Sequence, residues 1–65
     1  MFVSVVVPLF NEQESIELLY NSITDSIAGT LSDYEIIFVD DGSSDATFEL
    51  AEQLAASDPR LRVLK

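Results

Sequence analysis

Tyr34-Glu35-Ile36-Ile37-Phe38-Val39, followed at once by Asp40-Asp41-Gly42-Ser43-Ser44-Asp45, decides the fold. The first six residues are mostly β-branched or aromatic, and turn formers follow them, so they read as a strand. Their nearly unbroken apolar character predicts burial on both faces, as in a parallel sheet covered by helices. The acidic run then reads as a turn leading into a helix. Ser43 or Ser44 supplies its N-cap, and Asp45 suits the positive end of its dipole.

Working outward, Phe48, Leu50, Ala51, Leu54 and Ala55 recur at helical spacing and form one apolar stripe. Asp45, Glu49 and Glu52 read as the solvated face of that helix. Asp58-Pro59 breaks it, and Leu61 to Leu64 begins another strand. Towards the N-terminus, Phe2 to Leu9 is a short apolar run rich in valine, which reads as a further buried strand. Pro8 is expected at its end, because proline cannot donate to a ladder. Asn11 then reads as a helix N-cap, with Glu14 at capping-box spacing. Ile16, Leu19, Tyr20, Ile23 and Ile27 form that helix's stripe, and Gly29 ends it as a C′ residue. Tyr20 and Phe48 read as core. Thr30 to Asp33 is the connection to the strand at Tyr34.

The order is therefore β-α-β-α-β. Alternation of this kind implies an α/β fold with a parallel sheet and right-handed crossovers, the first part of a Rossmann-like, doubly wound nucleotide-binding domain spanning residues 1–65. Three strands leave an open sheet edge, so the chain is expected to be the front of a longer fold or to self-associate through that edge.

Composition narrows the chemistry. Apolar residues are 48% of the 65, enough for a small core, and no cysteine is available for a disulfide or thiolate site. The net charge is −9, and all three basic residues, Arg60, Arg62 and Lys65, follow the last of the twelve acidic ones. Residues 1–59 thus hold no positive side chain, which argues against nucleic acid or an anionic lipid surface as partner. A phosphate-bearing ligand would depend on backbone N–H groups, a divalent cation or basic residues from elsewhere. With no histidine, a Ser-His-Asp triad is impossible and zinc is excluded in practice. Neither G-x-G-x-x-G nor G-x-x-x-x-G-K-[ST] occurs. No apolar run approaches the roughly 20 residues needed to cross a bilayer, and the N-terminus has no basic segment of a secretory signal; a cytoplasmic location is expected.

In an open α/β sheet, ligands bind beyond the carboxyl ends of the strands. Two segments belong there and should face one crevice: Pro8-Leu9-Phe10-Asn11-Glu12 and Asp40-Asp41-Gly42-Ser43. An ionised Asp40 or Asp41 accepts hydrogen bonds only, from a base N–H or from ribose hydroxyls. Phe10 reads either as a core residue or as a platform for a base, and Gly42 permits close backbone approach.

Together, Val3-Ser4-Val5-Val6-Val7-Pro8-Leu9-Phe10-Asn11-Glu12 and Tyr34 to Asp45 resemble the family 2 glycosyltransferases of the GT-A fold. The resemblance is nearest to the branch making polyprenyl-phosphate sugars, on dolichol or undecaprenyl phosphate, and spans essentially the whole chain. It implies a nucleotide-diphospho-sugar donor and a lipid-phosphate or glycan acceptor, in cell-wall or glycan biosynthesis. It implies that Pro8, Phe10 and Glu12, with Asn11 beside them, line the nucleotide pocket, and that Asp41, Asp40 and the adjoining Gly42 meet the base or ribose. It also implies Mg²⁺ or Mn²⁺ on the diphosphate, held by an Asp-x-Asp motif outside these residues, so no catalytic or metal-binding residue is expected here. Membrane attachment at the cytoplasmic face would come from later segments. Two other classes stay open: a receiver-like signalling module, and a non-catalytic interaction module.

Overall fold

The computed structural model describes residues 2–30 and 33–65. Leu31 and Ser32, within the expected connection, lie outside the described residues. The elements are β1 (Val3–Leu9), α1 (Ile16–Ala28), β2 (Tyr34–Asp40), α2 (Thr47–Ala56) and β3 (Leu61–Leu64). They form the expected β-α-β-α-β order, with one parallel sheet arranged β1-β2-β3.

Two crossovers of the same hand that advance in one direction place both helices on one face of the sheet. The core follows from that geometry. Leu9, Tyr34, Ile36, Phe38 and Leu61 from the strands pack with Ile16 and Ile27 of α1 and Ala51 of α2. Phe38, fully buried at the centre, meets the Tyr20 ring edge-on at 6.4 Å. The Tyr20 hydroxyl donates to Asp58 beyond α2, so α1 is fastened across the α2–β3 turn.

Only one face of the sheet is covered, which corrects the expectation of burial on both faces. β1 alternates half-buried Val3, Val5 and Val7 with exposed Ser4, Val6 and Pro8. Val6 is 61% exposed and Leu64 51%, because both helices lie on the other side. Towards the amino ends of the strands this open face turns polar: the Ser4 hydroxyl donates to Glu35, and Arg62 lies 3.7 Å from the same carboxylate.

Several expected boundaries and caps differ. Phe2 stands outside β1 and is exposed. Pro8 lies one residue before the strand's end and pairs with Val39, tolerated because β1 is an edge strand. Asn11 does not cap α1. It adopts the left-handed region at φ +50°, and the helix begins at Ile16 after Ser15. The Glu12 carbonyl accepts the N–H groups of Ser15 and Ile16, opening the helix from a turn instead of a capping box. Gly29 is the C-cap, in a right-handed conformation at φ −83°, not a left-handed C′ residue. Ser43 and Ser44 do not cap α2, which begins at Thr47. Phe48 is only half-buried, outside the core, with the Lys65 ammonium 4.6 Å from its ring centre.

Candidate functional site

The parallel register carries the chain from Leu9 and from its partner Asp40 outward at the same end of the sheet. The first tie between the emerging loops prolongs the ladder: the Asp41 N–H donates to the Leu9 carbonyl at 2.8 Å. Beyond it, side chains do the joining. The Asn11 N–H donates to the Ser43 hydroxyl at 2.9 Å, and the Ser44 N–H donates to Asn11 Oδ1 at 2.9 Å. Glu12 N–H donates to the Thr47 hydroxyl at 2.7 Å, Gln13 N–H to Asp45 at 3.3 Å, and Ala46 N–H to Gln13 Oε1 at 2.9 Å. The two loops are a single hydrogen-bonded unit.

Within that unit the expected residues have distinct surroundings. Phe10 is 58% exposed, so it is not a core residue. Pro8, Asn11, Asp41 and Gly42 are exposed as well, and Glu12 is half-buried. The Glu12 carboxylate accepts the Ser15 hydroxyl at 2.8 Å, turned towards the start of α1. Gly42 has φ +82°, a conformation other residues adopt at a cost, with open space where a side chain would stand.

Asp40 differs from its neighbour. Its residue is 3% exposed, because position 40 continues the alternation that buries Tyr34, Ile36 and Phe38. Oδ1 accepts the Ser43 N–H at 3.1 Å and closes the turn, while Oδ2 is buried with no hydrogen-bond partner among the described residues. An ionised carboxylate oxygen in that state lacks the donor that would offset its desolvation. Asp41 beside it faces solvent.

Asp45, read from sequence as a solvated helix position, is a junction. It accepts hydrogen bonds from the hydroxyl and N–H of Thr47 and from the N–H of Gln13. The Thr47 hydroxyl first, and then these backbone donors, hold its carboxyl below the ordinary value. Gln13 and Thr47 escaped notice in the sequence. The visible signal was the Asp45-x-Thr47 spacing, which suits a local side-chain turn at a helix start.

A groove of about 460 Å³ opens beside this junction, lined by Asn11, Gln13, Glu14, Ser15 and Asp45. A smaller one of about 210 Å³ lies between the helices over Ile16, Leu50 and Leu54. Phe10, Asp41 and Gly42 border neither, so the exposed strand-end residues form an open surface. Among the described residues no group of three acidic side chains converges to hold a metal, and no helix is long and apolar enough to cross a membrane. Asp40 and Asp41 are unsuited to one cation, since Asp40 is buried within its own turn while Asp41 is exposed.

Comparison with known proteins agrees with this arrangement of strands and loops. The family described as glycosyl transferase family 2 matches residues 4–65. The chain is 42% identical over 59 residues to a prophage bactoprenol glucosyl transferase homolog of Escherichia coli (strain K12), covering 91% of this chain and 19% of that protein. It is 42% identical over 59 residues to the dolichol-phosphate mannosyltransferase of Pyrococcus furiosus, covering 91% and 16%. It is 46% identical over 56 residues to an undecaprenyl-phosphate 4-deoxy-4-formamido-L-arabinose transferase of Pseudomonas fluorescens, covering 86% and 16%. The chain thus spans about a fifth or less of the length of these relatives. With the matched segment running from β1 through both strand-end loops to Lys65, the chain belongs to the family 2 glycosyltransferases.

Proposed function

We propose that this chain supplies the nucleoside-binding part of an enzyme that transfers a sugar from a nucleotide-diphospho-sugar to a polyprenyl phosphate. The observation that carries the reading is the joining of two loops beyond neighbouring parallel strands, with Phe10 and Asp41 left exposed upon them. An exposed ring offers a face to a base, and a carboxylate accepts from base N–H or ribose hydroxyl groups. Asp40, buried and with no donor to its Oδ2 among the described residues, would meet a ligand only after its turn shifts, so its first role is to hold the turn that presents Asp41.

The surface charge separates the duties further. Arg60 lies over the Tyr34 ring and Arg62 beside Glu35, both at the amino end of β2, whereas Lys65, one residue past the Leu64 partner of Val39, sits over Phe48 at the loop end of the sheet. A diphosphate brought to those loops meets several carboxylates, with backbone and hydroxyl donors and, of the three basic side chains, Lys65 alone at that end of the sheet. Mg²⁺ or Mn²⁺, with basic groups, would therefore be held by other residues of the complete enzyme, where the metal supplies Lewis-acid stabilisation of the leaving diphosphate. Relatives named for bactoprenol, dolichol phosphate and undecaprenyl phosphate support a polyprenyl phosphate acceptor.

The test is a titration of the ¹⁵N-labelled chain with uridine diphosphate and with guanosine diphosphate, using pyrophosphate as control. Weak, saturable shifts at Phe10, Asn11, Asp41 and Gly42 with one nucleotide, and none with pyrophosphate, are expected. Shifts confined to the interhelical groove, or equal response to pyrophosphate, would overturn the reading.

A further inference from the structure

We infer that Thr47, held by Asp45, is a positioning residue that sets the register between the two nucleotide-facing loops; the inference rests on the nucleoside-binding reading above. Thr47 is the first residue of α2 and is fully buried. Packing alone would be met by valine, which has nearly the same shape. The hydroxyl is committed elsewhere. It accepts the Glu12 N–H at 2.7 Å and donates to Asp45 Oδ1. Asp45 reaches the β1–α1 loop independently, since its Oδ2 accepts the N–H of Gln13 at 3.3 Å. Consecutive peptide groups of the β1–α1 loop are thus both fixed to the start of α2.

The consequence reaches the exposed groups. Phe10 and Asn11 immediately precede Glu12, while Asp41 and Gly42 hang from β2 through the turn that leads to Asp45. The bonds of Asn11 to Ser43 and Ser44 lie in exposed surroundings and compete with water. The Thr47 bonds are part-buried, so the hydroxyl is the tie that water replaces least readily. Neither Thr47 nor Asp45 needs to touch the nucleotide for this role.

Thr47→Val and Thr47→Ser separate positioning from packing. Amide hydrogen exchange followed residue by residue should show Glu12 exchanging about tenfold faster in T47V, while Ile36 and Phe38 in β2 keep the wild-type rate. T47S, which keeps the hydroxyl, should restore Glu12 protection. In the same samples, affinity for whichever of uridine or guanosine diphosphate the wild type binds should fall about five- to tenfold in T47V and recover in T47S. If T47V does not fold, Asp45→Ala carries the test, with Gln13 and Glu12 exchange both accelerated. Unchanged Glu12 exchange in the hydroxyl-free variant overturns the inference. So does accelerated exchange with wild-type nucleotide affinity. Failure of both nucleotides to bind the wild type, with Glu12 exchange still accelerated, sinks the nucleoside reading and leaves the register role standing.

Discussion

The Tyr20 hydroxyl donates to the Asp58 carboxylate, joining the middle of α1 to the segment that carries the chain from α2 into β3. Burial first, and then this bond, push the Tyr20 pKa up from 10.0 to about 12. A raised folded pKa means the stabilisation is fully present below the unfolded value near 10. It is lost as pH rises through about 12. Urea midpoints should therefore hold steady up to about pH 10 and fall above it. Tyr20→Phe should lower stability by about 1 kcal/mol at neutral pH and flatten that alkaline decline.

Asp45 gives the opposite pH dependence. Its folded pKa is lowered by the Thr47 hydroxyl and by backbone donors, so its contribution is present above the ordinary value of 3.8 and disappears as pH falls below it. Acid titration of Asp45→Asn against the wild type should show a smaller loss of stability below pH 4 in the variant. The Gln13 and Thr47 amides should report the change by NMR, because both donate to this carboxylate in the wild type.

Gly42→Ala should destabilise by roughly 1–2 kcal/mol, measured by urea denaturation. Beyond its chain neighbours, no atom of the described residues lies within 4 Å of the added carbon, so the cost comes from φ +82°. Gly42→Asn should cost less, since asparagine enters the left-handed region more readily. Equal effects of the two substitutions would mean that space, not backbone conformation, governs the position.

Phe10→Ala separates ligand contact from folding. With the ring 58% exposed, unfolding stability should change by no more than about 0.5 kcal/mol. Nucleotide affinity should drop by about 1–3 kcal/mol, the scale of base stacking on an aromatic ring. The two readouts, denaturation midpoint and titration with the bound nucleotide, should therefore diverge. Phe38→Ala inverts the pattern, costing about 3–5 kcal/mol and abolishing the fold of so small a core.

Replacing Val6 and Leu64 by threonine should leave the unfolding midpoint within about 0.5 kcal/mol per site, because more than half of each residue already meets solvent. Sedimentation at rising concentration should show less association in the double variant, as apolar area is removed from the open face.

Strand identity, helix stripes and the parallel order were legible because each depends on periodicity over several residues, as in Tyr34 to Val39 and Ile16 to Ile27. Boundaries at the loops were not. Asn11 and Glu14 satisfy a capping-box spacing, yet the tertiary pull of Ser43 and Ser44 draws Asn11 into a left-handed turn and starts the helix later. One-sided cover was also illegible, because an apolar β2 such as Ile36, Ile37, Phe38 and Val39 looks the same whether one face or both are packed. At the site, the two strand-end segments could be placed from topology alone. The different surroundings of Asp40 and Asp41 follow from β2 extending one residue further than expected, which turns Asp40 inward. Thr47 and Gln13, and the joining role of Asp45, which had read as a solvated helix position, were not legible because the bonded pairs Glu12–Thr47 and Gln13–Asp45 are more than thirty residues apart.

The peptide group on the amino side of Glu12 and the one on its carboxyl side serve different helices: its N–H ends on the first residue of α2, and its carbonyl receives the opening turn of α1. Neither crossover can come undone alone without stripping the other of its starting point. Melting of the two β-α units should consequently be a single all-or-none event seen identically by every spectroscopic probe, despite their repeat-like succession along the chain.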